Sequence, residues 1–273
     1  MRIAVLVEND REREDLSAAH GLCLYLETGE DRILFDFGPD GRFIENARRR
    51  GIDLHEVNLA VLSHGHQDHG GGLPDFLSFN VKAPVYLHPE SLMKHYSRQE
   101  NGIMKDIGIP KEIRESRRLI PVEGVSWIND RMALISYVKG VEMLPPGNET
   151  LFMEKEGEIR PDDFLHEQSL LMEEEGKLYL ISGCGHRGIV NLMETVRELR
   201  GRYPDHVIGG FHIKKPSKIS HDAGYVMKLG EMLLETGSQF HTCHCTGPKM
   251  FKKLKETMGG SISYLVTGSD ISI

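Results

Sequence analysis

The chain carries one segment that decides its interpretation, Ser-His-Gly-His-Gln-Asp-His-Gly at residues 63–70. The residues Leu59–Ser63 that lead into it are apolar almost throughout, which predicts a buried strand with the histidines at its carboxyl end. Neutral imidazole and carboxylate are good ligands for borderline divalent metals. Residues at i and i+2 on an extended turn can point to one ion, and a neighbouring Asp-His pair can point to a second. The segment therefore predicts a site for a pair of divalent metal ions.

The pattern of the remaining sequence predicts one large α/β domain. The first half reads as strands, with a hairpin formed by Leu22–Glu27 and Arg32–Asp36. A polar stretch from Glu90 to about Arg117 is predicted to be helical. The second half alternates strands and helices in a βαβαβα order. We expect a layered α/β architecture, a single domain over 1–273 of two pseudo-halves that meet near 140–160.

Charge and composition exclude several classes of partner. The formal net charge of −8 argues against nucleic acid, whose binding needs a basic surface. The longest apolar stretches, such as Leu178–Ile181, are far too short to span a membrane. The first residues read as a strand rather than a signal peptide. Two of the four cysteines flank a histidine, which fits a reduced compartment, so we expect a cytoplasmic protein with a small-molecule substrate.

The histidine segment is similar to the signature of a known superfamily. The order His-x-His-x-Asp-His after an apolar strand resembles that of the metallo-β-lactamase fold. The upstream turn Asp36-Phe37-Gly38 resembles the Asp-Thr-Gly turn of that fold, with Phe in place of Thr. The resemblance spans most of the chain. It implies an αββα four-layer sandwich, with the metals at one edge between its halves.

Further ligands are expected in turns that follow strands of the second half, because sites in α/β folds lie at the carboxyl ends of strands. Three such turns carry a metal-capable side chain, at 182–188, 209–212 and 243–247. Together they resemble a narrower branch of the superfamily, that of dihydropteroate-synthase-like and methanopterin-pathway enzymes. In that branch the Gly-Cys-small-His turn and the His-Cys-Thr-Gly turn recur. Asn9 and His20-Gly21 also look like that branch.

The resemblance implies two divalent ions, zinc first, with manganese or iron as alternatives. It assigns three ligands to each ion: His64, His66 and His186 to the first, and Asp68, His69 and His244 to the second. Most dinuclear members also supply a bridging aspartate, which this sequence lacks. Cys184 occupies the most similar place and is an additional candidate, with a small buried hydrophobe as its alternative interpretation. His212 is a further candidate, with hydrogen bonding to substrate or backbone as its alternative.

Several other residues receive predicted roles. Asp68 could serve as ligand and as proton acceptor, and Asp36 is a candidate to hold the ligand histidines by their second nitrogen. Arg187, Lys214 and Lys215 are predicted to hold an anionic substrate, with a solvated basic loop as the alternative. His88 is expected to be a turn residue. Surface or packing roles are expected for the remaining histidines at 55, 95, 166, 206, 221 and 241.

Three functions remain open from the sequence. The first is a metal-dependent hydrolase of an ester, lactone or phosphoester, in which a metal-bound water acts as hydroxide near neutral pH. The second, implied by the branch, is a non-hydrolytic transferase that condenses a dihydropterin with a ribofuranosyl-aminobenzene phosphate. The third is a non-catalytic metal-binding or redox-sensing protein that uses Cys184, Cys243 and Cys245.

Overall fold

The computed structural model describes residues 1–110, 113, 116–213 and 223–273. In chain order its strands are β1 (Arg2–Val7), β2 (Cys23–Glu27), β3 (Arg32–Phe35), β4 (Leu59–Val61), β5 (Val85–Leu87), β6 (Lys94–Arg98), β7 (Met104–Asp106), β8 (Leu119–Pro121), β9 (Val125–Asn129), β10 (Met132–Ile135), β11 (Leu151–Lys155), β12 (Glu158–Pro161), β13 (Ser169–Glu174), β14 (Lys177–Ile181), β15 (His206–Gly209), β16 (Gln239–Thr242), β17 (Ile262–Tyr264) and β18 (Asp270–Ser272).

Among the described residues, three α-helices lie before residue 80 and three lie after residue 188. They are α1 (Arg42–Arg49), α2 (Gln67–Gly70), α3 (Leu73–Phe79), α4 (Ile189–Arg200), α5 (Ala223–Glu235) and α6 (Pro248–Met258). Within the described ranges, none of the helices has the length and apolarity needed to cross a membrane.

The chain folds into two compact units. The first unit comprises Met1–Glu123, Phe152–Arg160 and Leu265–Ile273, and the second comprises Gly124–Leu151 and Pro161–Tyr264. The chain thus first leaves the first unit at residue 123 and returns to it twice. The single-domain interpretation, with halves that meet near 140–160, stays a prediction.

The main sheet of the first unit has the order β18-β1-β2-β3-β4-β5-β8. The predicted hairpin is confirmed, since β2 and β3 pair antiparallel. From β3 to β8 the strands run parallel. Parallel strands are apolar because helices cover them, and all three residues of β4 are buried. The segments that follow β3, β4 and β5 therefore share one edge, where Asp36, His64 and His88 lie.

Aromatic side chains from helices and turns join the aliphatic core of this unit. Phe37 and Phe76 pack with ring centroids 5.2 Å apart, and Phe43 of α1 is fully buried beside the same cluster. Burial of one such ring contributes about 1.5 to 3 kcal/mol. This packing fixes α3 directly after the histidine segment, so the segment has a rigid support.

The predicted helix from Glu90 to about Arg117 is wrong. After a short 3-10 turn at Pro89–Leu92, this region forms β6 and β7, which pair antiparallel in a four-stranded sheet of order β12-β11-β6-β7. The reason lies in β6, where His95 and Ser97 are buried and their neighbours are not. Burial at every second residue is a strand pattern, and polar side chains hid it from a search for apolar periodicity.

The second unit contains a sheet of order β17-β16-β15-β14-β13-β10-β9. Strands β14 to β17 run parallel, with α4, α5 and α6 between them, so the predicted alternation of strands and helices is confirmed. Apolar residues of these helices, among them Val196, Leu229 and Leu254, join the core of the sheet. The turns at 182–188, 210–213 and 243–247 follow β14, β15 and β16 and lie at one edge of the sheet.

Candidate metal centre

The first unit brings its four predicted ligands together after β4. His64 and His66 lie on the turn, and Asp68 and His69 lie on α2. The ring centroid of His64 lies 4.5 Å from that of His66 and 4.2 Å from that of His69. All three imidazoles are buried, whereas a quarter of the Asp68 side chain is exposed. The predicted convergence of these four residues is therefore present within this unit.

Hydrogen bonds around Asp36 determine which nitrogen of two histidines can bind a metal. The Asp36 carboxylate accepts from Nδ1 of His69 at 2.6 Å and from the hydroxyl of Ser63 at 2.7 Å. Since the single hydroxyl proton of Ser63 goes to Asp36, its oxygen must accept from Nδ1 of His64, 2.8 Å away. Both imidazoles then carry the proton on Nδ1, so Nε2 of each presents a lone pair. Asp36 thus has the supporting position predicted for it.

Asp68 has a partner that the sequence did not assign. Nε2 of His20 lies 3.4 Å from Oδ2 of Asp68, and two thirds of the His20 side chain is exposed. Nδ1 of His20 is 3.2 Å from Oδ1 of Asn9. Oδ1 of Asn9 also accepts from the amide of Gly21, so its orientation is fixed. The exposed imidazole connects the Asp68 carboxylate with solvent.

Gly65 makes the tight turn between two ligand histidines. A Cβ at this position would overlap the His95 ring and would lie 2.5 Å from the carbonyl oxygen of Ser91. His95 is buried, with its ring centroid 5.6 Å from that of His66 and a donor atom within 4.8 Å of one on His66, so the packing role expected of it stays a prediction. Nδ1 of His88 accepts from the amide of Glu90, which confirms its interpretation as a turn residue.

The second unit places Cys184 and His186 on the turn after β14, both buried. Nδ1 of His186 donates to Oδ1 of Asn148 at 3.0 Å, and Nδ2 of Asn148 donates to the carbonyl of His186 at 2.8 Å. The proton on Nδ1 again leaves the lone pair on Nε2. Phe164 stacks on the His186 ring, with the ring centroids 4.4 Å apart and an angle of 7° between the ring planes. Asn148 is 38 residues away in the chain, so no local pattern could have revealed it.

A buried carboxyl group fixes the backbone of the same turn. Glu167 accepts from the amide of His186 at 2.8 Å and from that of Arg187 at 2.9 Å. Burial raises the pKa of the Glu167 carboxyl group, although these two amides oppose the shift. The turn that carries His186 is therefore held at both its side chain and its main chain.

His212 follows β15 and is brought to the same cluster. Its ring centroid is 4.1 Å from that of His186. The donor atoms of Cys184, His186 and His212 all lie within 4.8 Å of one another. Both ring nitrogens of His212 are buried and have no hydrogen-bond partner among the described residues. A buried polar group without a partner is costly, so a metal or substrate that contacts this ring fits the structure better than the alternative of a hydrogen bond to the backbone.

The turn after β16 carries His244 and Cys245, both buried, in a short 3-10 helix at His244–Thr246. The donor atoms of Cys184, His244 and Cys245 lie within 4.8 Å of one another. Burial favours the neutral Cys245 thiol. The neighbouring Cys184 and His212, together with His244, nevertheless bring its pKa well below the ordinary value. Cys245 was absent from the ligand sets predicted for the two ions and was named only in the hypothesis of a non-catalytic metal-binding or redox-sensing protein.

Strained backbone accompanies these positions. Asp36, His212 and His244 have φ values of 60°, 49° and 50°, in the left-handed region that residues with a Cβ rarely adopt. Each such residue costs on the order of 1 kcal/mol and persists where the surroundings determine it. The strain coincides with the ends of β3, β15 and β16, where the donor side chains are concentrated.

Of the three cationic residues predicted to hold the substrate, the structure describes only Arg187. The Arg187 guanidinium donates to the carbonyl of Val138 at 2.9 Å and to that of Asp163 at 3.3 Å, so it holds neighbouring loops in this conformation. Its role toward a substrate stays a prediction. Lys214 and Lys215 lie outside the described residues.

The sequence matches one family model, described as Metallo-beta-lactamase superfamily, over residues 17–190. Among curated proteins, it is 27% identical over 267 residues to MJ0448 of Methanocaldococcus jannaschii, covering 93% of this chain and 94% of the relative. A second relative from that organism is the 7,8-dihydropterin-6-methyl-4-(beta-D-ribofuranosyl)-aminobenzene-5'-phosphate synthase. It is 27% identical over 251 residues, which cover 84% of this chain and 82% of the synthase.

A solved structure resembles the whole chain. It is that of Tm1679, described as a metal-dependent hydrolase of the beta-lactamase superfamily. The TM-score is 0.84 at 29% sequence identity, and the match covers 100% of this chain and 99% of Tm1679.

Proposed function

Because the chain belongs to the metallo-beta-lactamase superfamily, as its motifs predicted, we propose that it is a metal-dependent hydrolase of a small anionic substrate. The substrate class is an ester, a lactone or a phosphoester. One observation carries the proposal. The Asp36 carboxylate holds the Nδ1 proton of His69 directly and that of His64 through Ser63, so Nε2 of each histidine keeps a lone pair that can bind a metal. Histidine ligands held in this way are characteristic of metal sites.

The donor set suits zinc better than magnesium or calcium. Imidazole and thiolate favour borderline and soft ions, whereas oxygen ligands favour hard ones. We keep the assignment made from the sequence as a proposal, with two ions held by His64, His66 and His186 and by Asp68, His69 and His244. Manganese and iron are the alternatives. When bound, such ions acidify a water molecule and polarise the group under attack.

The protein's own residues perform the proton transfers in this proposal. Asp68, partly exposed, accepts a proton from the attacking water, as a carboxylate within a ligand set can. His20, 3.4 Å from Asp68 and largely exposed, passes that proton to solvent. Asp36 and Asn148 keep their imidazoles in the Nδ1-protonated tautomer throughout. Arg187, Lys214 and Lys215 remain the proposed contacts to the anionic group of the substrate.

Metal analysis and hydrolysis assays test the proposal. Protein purified without added metal is expected to contain at least one equivalent of zinc, manganese or iron. After chelation and reloading it should cleave generic phosphodiesters or lactones. His66→Ala should abolish that activity, while His55→Ala, on an exposed imidazole stacked against Phe79, should retain it. Less than about one equivalent of metal, unchanged in His64→Ala, would show that the segment at 63–70 binds no ion.

A second candidate is the transferase that condenses a dihydropterin with a ribofuranosyl-aminobenzene phosphate. The synthase relative supports it, since 82% of that protein aligns with this chain, although at 27% identity. A transferase should release pyrophosphate only when the dihydropterin pyrophosphate and the aminobenzene substrate are both present. Cleavage of a single phosphodiester or lactone without a second substrate favours the hydrolase.

A further inference from the structure

Two buried cysteines of the second unit lie beside a proposed ligand histidine. Cys184 follows β14 and Cys245 follows β16, and both are buried and form no disulfide with another described cysteine. Their sulfur atoms and a ring nitrogen of His244 lie within 4.8 Å of one another. This approaches the spacing that ligands of one zinc ion adopt, at about 2.0 to 2.3 Å from the shared ion.

The fold makes specific room for the Cys245 sulfur. A Cβ at Gly210 would overlap Sγ of Cys245, so this position tolerates only glycine while the sulfur stays in place. The amide of His212 points at the same sulfur, with a nitrogen–sulfur distance of 3.2 Å. A backbone donor directed at sulfur stabilises a thiolate, which is the form that binds metals.

Hydroxyl groups anchor the loop that carries Cys245. The Thr246 hydroxyl accepts from the amide of Phe211 at 3.0 Å and lies 2.5 Å from the Thr242 hydroxyl. The Thr242 hydroxyl donates to the carbonyl of Gly209 at 3.0 Å. These bonds join the turns after β15 and β16, so the sulfur is held by a rigid frame, as pre-organised metal sites require.

We propose that Cys184, His244 and Cys245 form a thiolate-containing metal position that takes zinc or another thiophilic divalent ion. The inference deepens the proposed function and rests on it in one respect, because His244 is also the ligand assigned there to the second ion. It adds two sulfur ligands to the nitrogen and oxygen ligands proposed for the second ion. A hard ion such as magnesium or calcium is then excluded from this position.

X-ray absorption on the wild-type protein loaded with zinc tests the proposal directly. A sulfur shell is expected at about 2.3 Å, beside nitrogen and oxygen at about 2.0 to 2.1 Å. Because this measurement needs no variant, it does not depend on whether a substitution folds. Absence of the sulfur shell in protein that holds two zinc ions overturns the proposal and leaves the proposed hydrolase untouched.

Cobalt substitution assigns the sulfur ligands. Cobalt bound by a thiolate gives a near-ultraviolet sulfur-to-metal charge-transfer band, whereas imidazole and carboxylate ligands give only visible bands. Cys184→Ser and Cys245→Ser should each lose about half of that band, and the double variant should lose all of it. Cys23→Ser is the matched control, a buried free thiol on β2 of the first unit, and should keep the full band.

The outcomes separate this proposal from the previous one. Visible bands without the charge-transfer band overturn the thiolate position while supporting the histidine site. Absence of all cobalt bands overturns both. Retention of the charge-transfer band in the double variant also overturns the assignment.

Discussion

Nδ1 of His69 lies 2.6 Å from Oδ2 of Asp36, and neither side chain is accessible to solvent. Through Ser63 the same carboxylate also sets the tautomer of His64. One residue at the end of β3 therefore orients two proposed ligands at the end of β4. The neighbouring parallel strands β3 and β4 bring them together, because their carboxyl ends meet at one sheet edge.

Replacement of this carboxylate should weaken metal binding. In Asp36→Asn the amide group cannot accept all three donors of the wild type, which are the Ser63 amide, the Ser63 hydroxyl and Nδ1 of His69. We expect zinc affinity to fall by about 10- to 100-fold, measured by competition with a chromophoric chelator. Asp40→Asn, on a half-exposed carboxylate, is the control. Wild-type affinity in folded Asp36→Asn would contradict the role assigned to Asp36.

Asn148 should act on the metal through His186. We expect Asn148→Ala to lower zinc affinity by about 10-fold, since the imidazole loses the acceptor that fixes its tautomer. Asn148→Asp retains an acceptor oxygen and should recover most of this loss. Equal affinities for the two variants, by isothermal titration, would assign Asn148 to the fold alone. The exposed Asn101→Ala serves as the control for folding.

Replacement of Gly65 by alanine should lower the unfolding free energy of the metal-free protein. Gly65→Ala places a methyl group against the carbonyl of Ser91 and the ring of His95. Overpacking of this kind costs about 1 to 3 kcal/mol of unfolding free energy, measurable by urea denaturation after chelation. Gly260→Ala is the matched control, because a Cβ there meets nothing within 4 Å and its φ is not positive. Equal urea midpoints for Gly65→Ala and Gly260→Ala would contradict the predicted clash at Gly65.

His241 should make the metal-free protein sensitive to acid. Burial, assisted by the charge of His206, lowers the pKa of His241 from 6.5 to about 4. Between these values the unfolded chain binds more protons than the folded one, so stability is present above pH 6.5 and is lost as the pH falls toward 4. After allowance for partial exposure, the loss is about 1 to 2 kcal/mol.

Denaturation across that pH range checks the sign of this effect. His241→Gln removes the titrating ring, and its stability should decline less between pH 6.5 and 4 than that of the wild type. His55→Gln, which replaces an exposed ring, should follow the wild-type curve. A parallel decline for His241→Gln and the wild type would show that the acid sensitivity arises elsewhere.

The sequence predicted the parts of the fold that depend on apolar periodicity. The hairpin of β2 and β3 and the parallel order of β14 to β17 are present as expected. Strand β6 was missed because its buried residues, His95 and Ser97, are polar. Its conformation depends on pairing with β7 and β11, and such tertiary pairing overrides local propensity.

The site was predictable where ligands are neighbours in sequence. His64, His66, Asp68 and His69 lie within one short segment, and the structure brings them together as expected. The supporting residues were harder to find, because Asn148 contacts His186 from a loop 38 residues away. Cys245 was left out of the two assigned ligand sets because a cysteine beside a histidine has no distinctive spacing. Only the fold, which brings together the turns that follow β14 and β16, reveals its neighbour Cys184.

The pairing of β18 with β1 has a consequence for synthesis. Strand β1 is made before the second unit, whereas its antiparallel partner Asp270–Ser272 is made after the whole of that unit. The Glu8 amide donates to the hydroxyl of Thr267, so this hydrogen bond also forms only after the second unit is made. A nascent chain stopped at Tyr264 would therefore expose one bare edge of the first sheet, a surface that invites pairing with another chain. Chaperone dependence of this protein should be greatest during that interval.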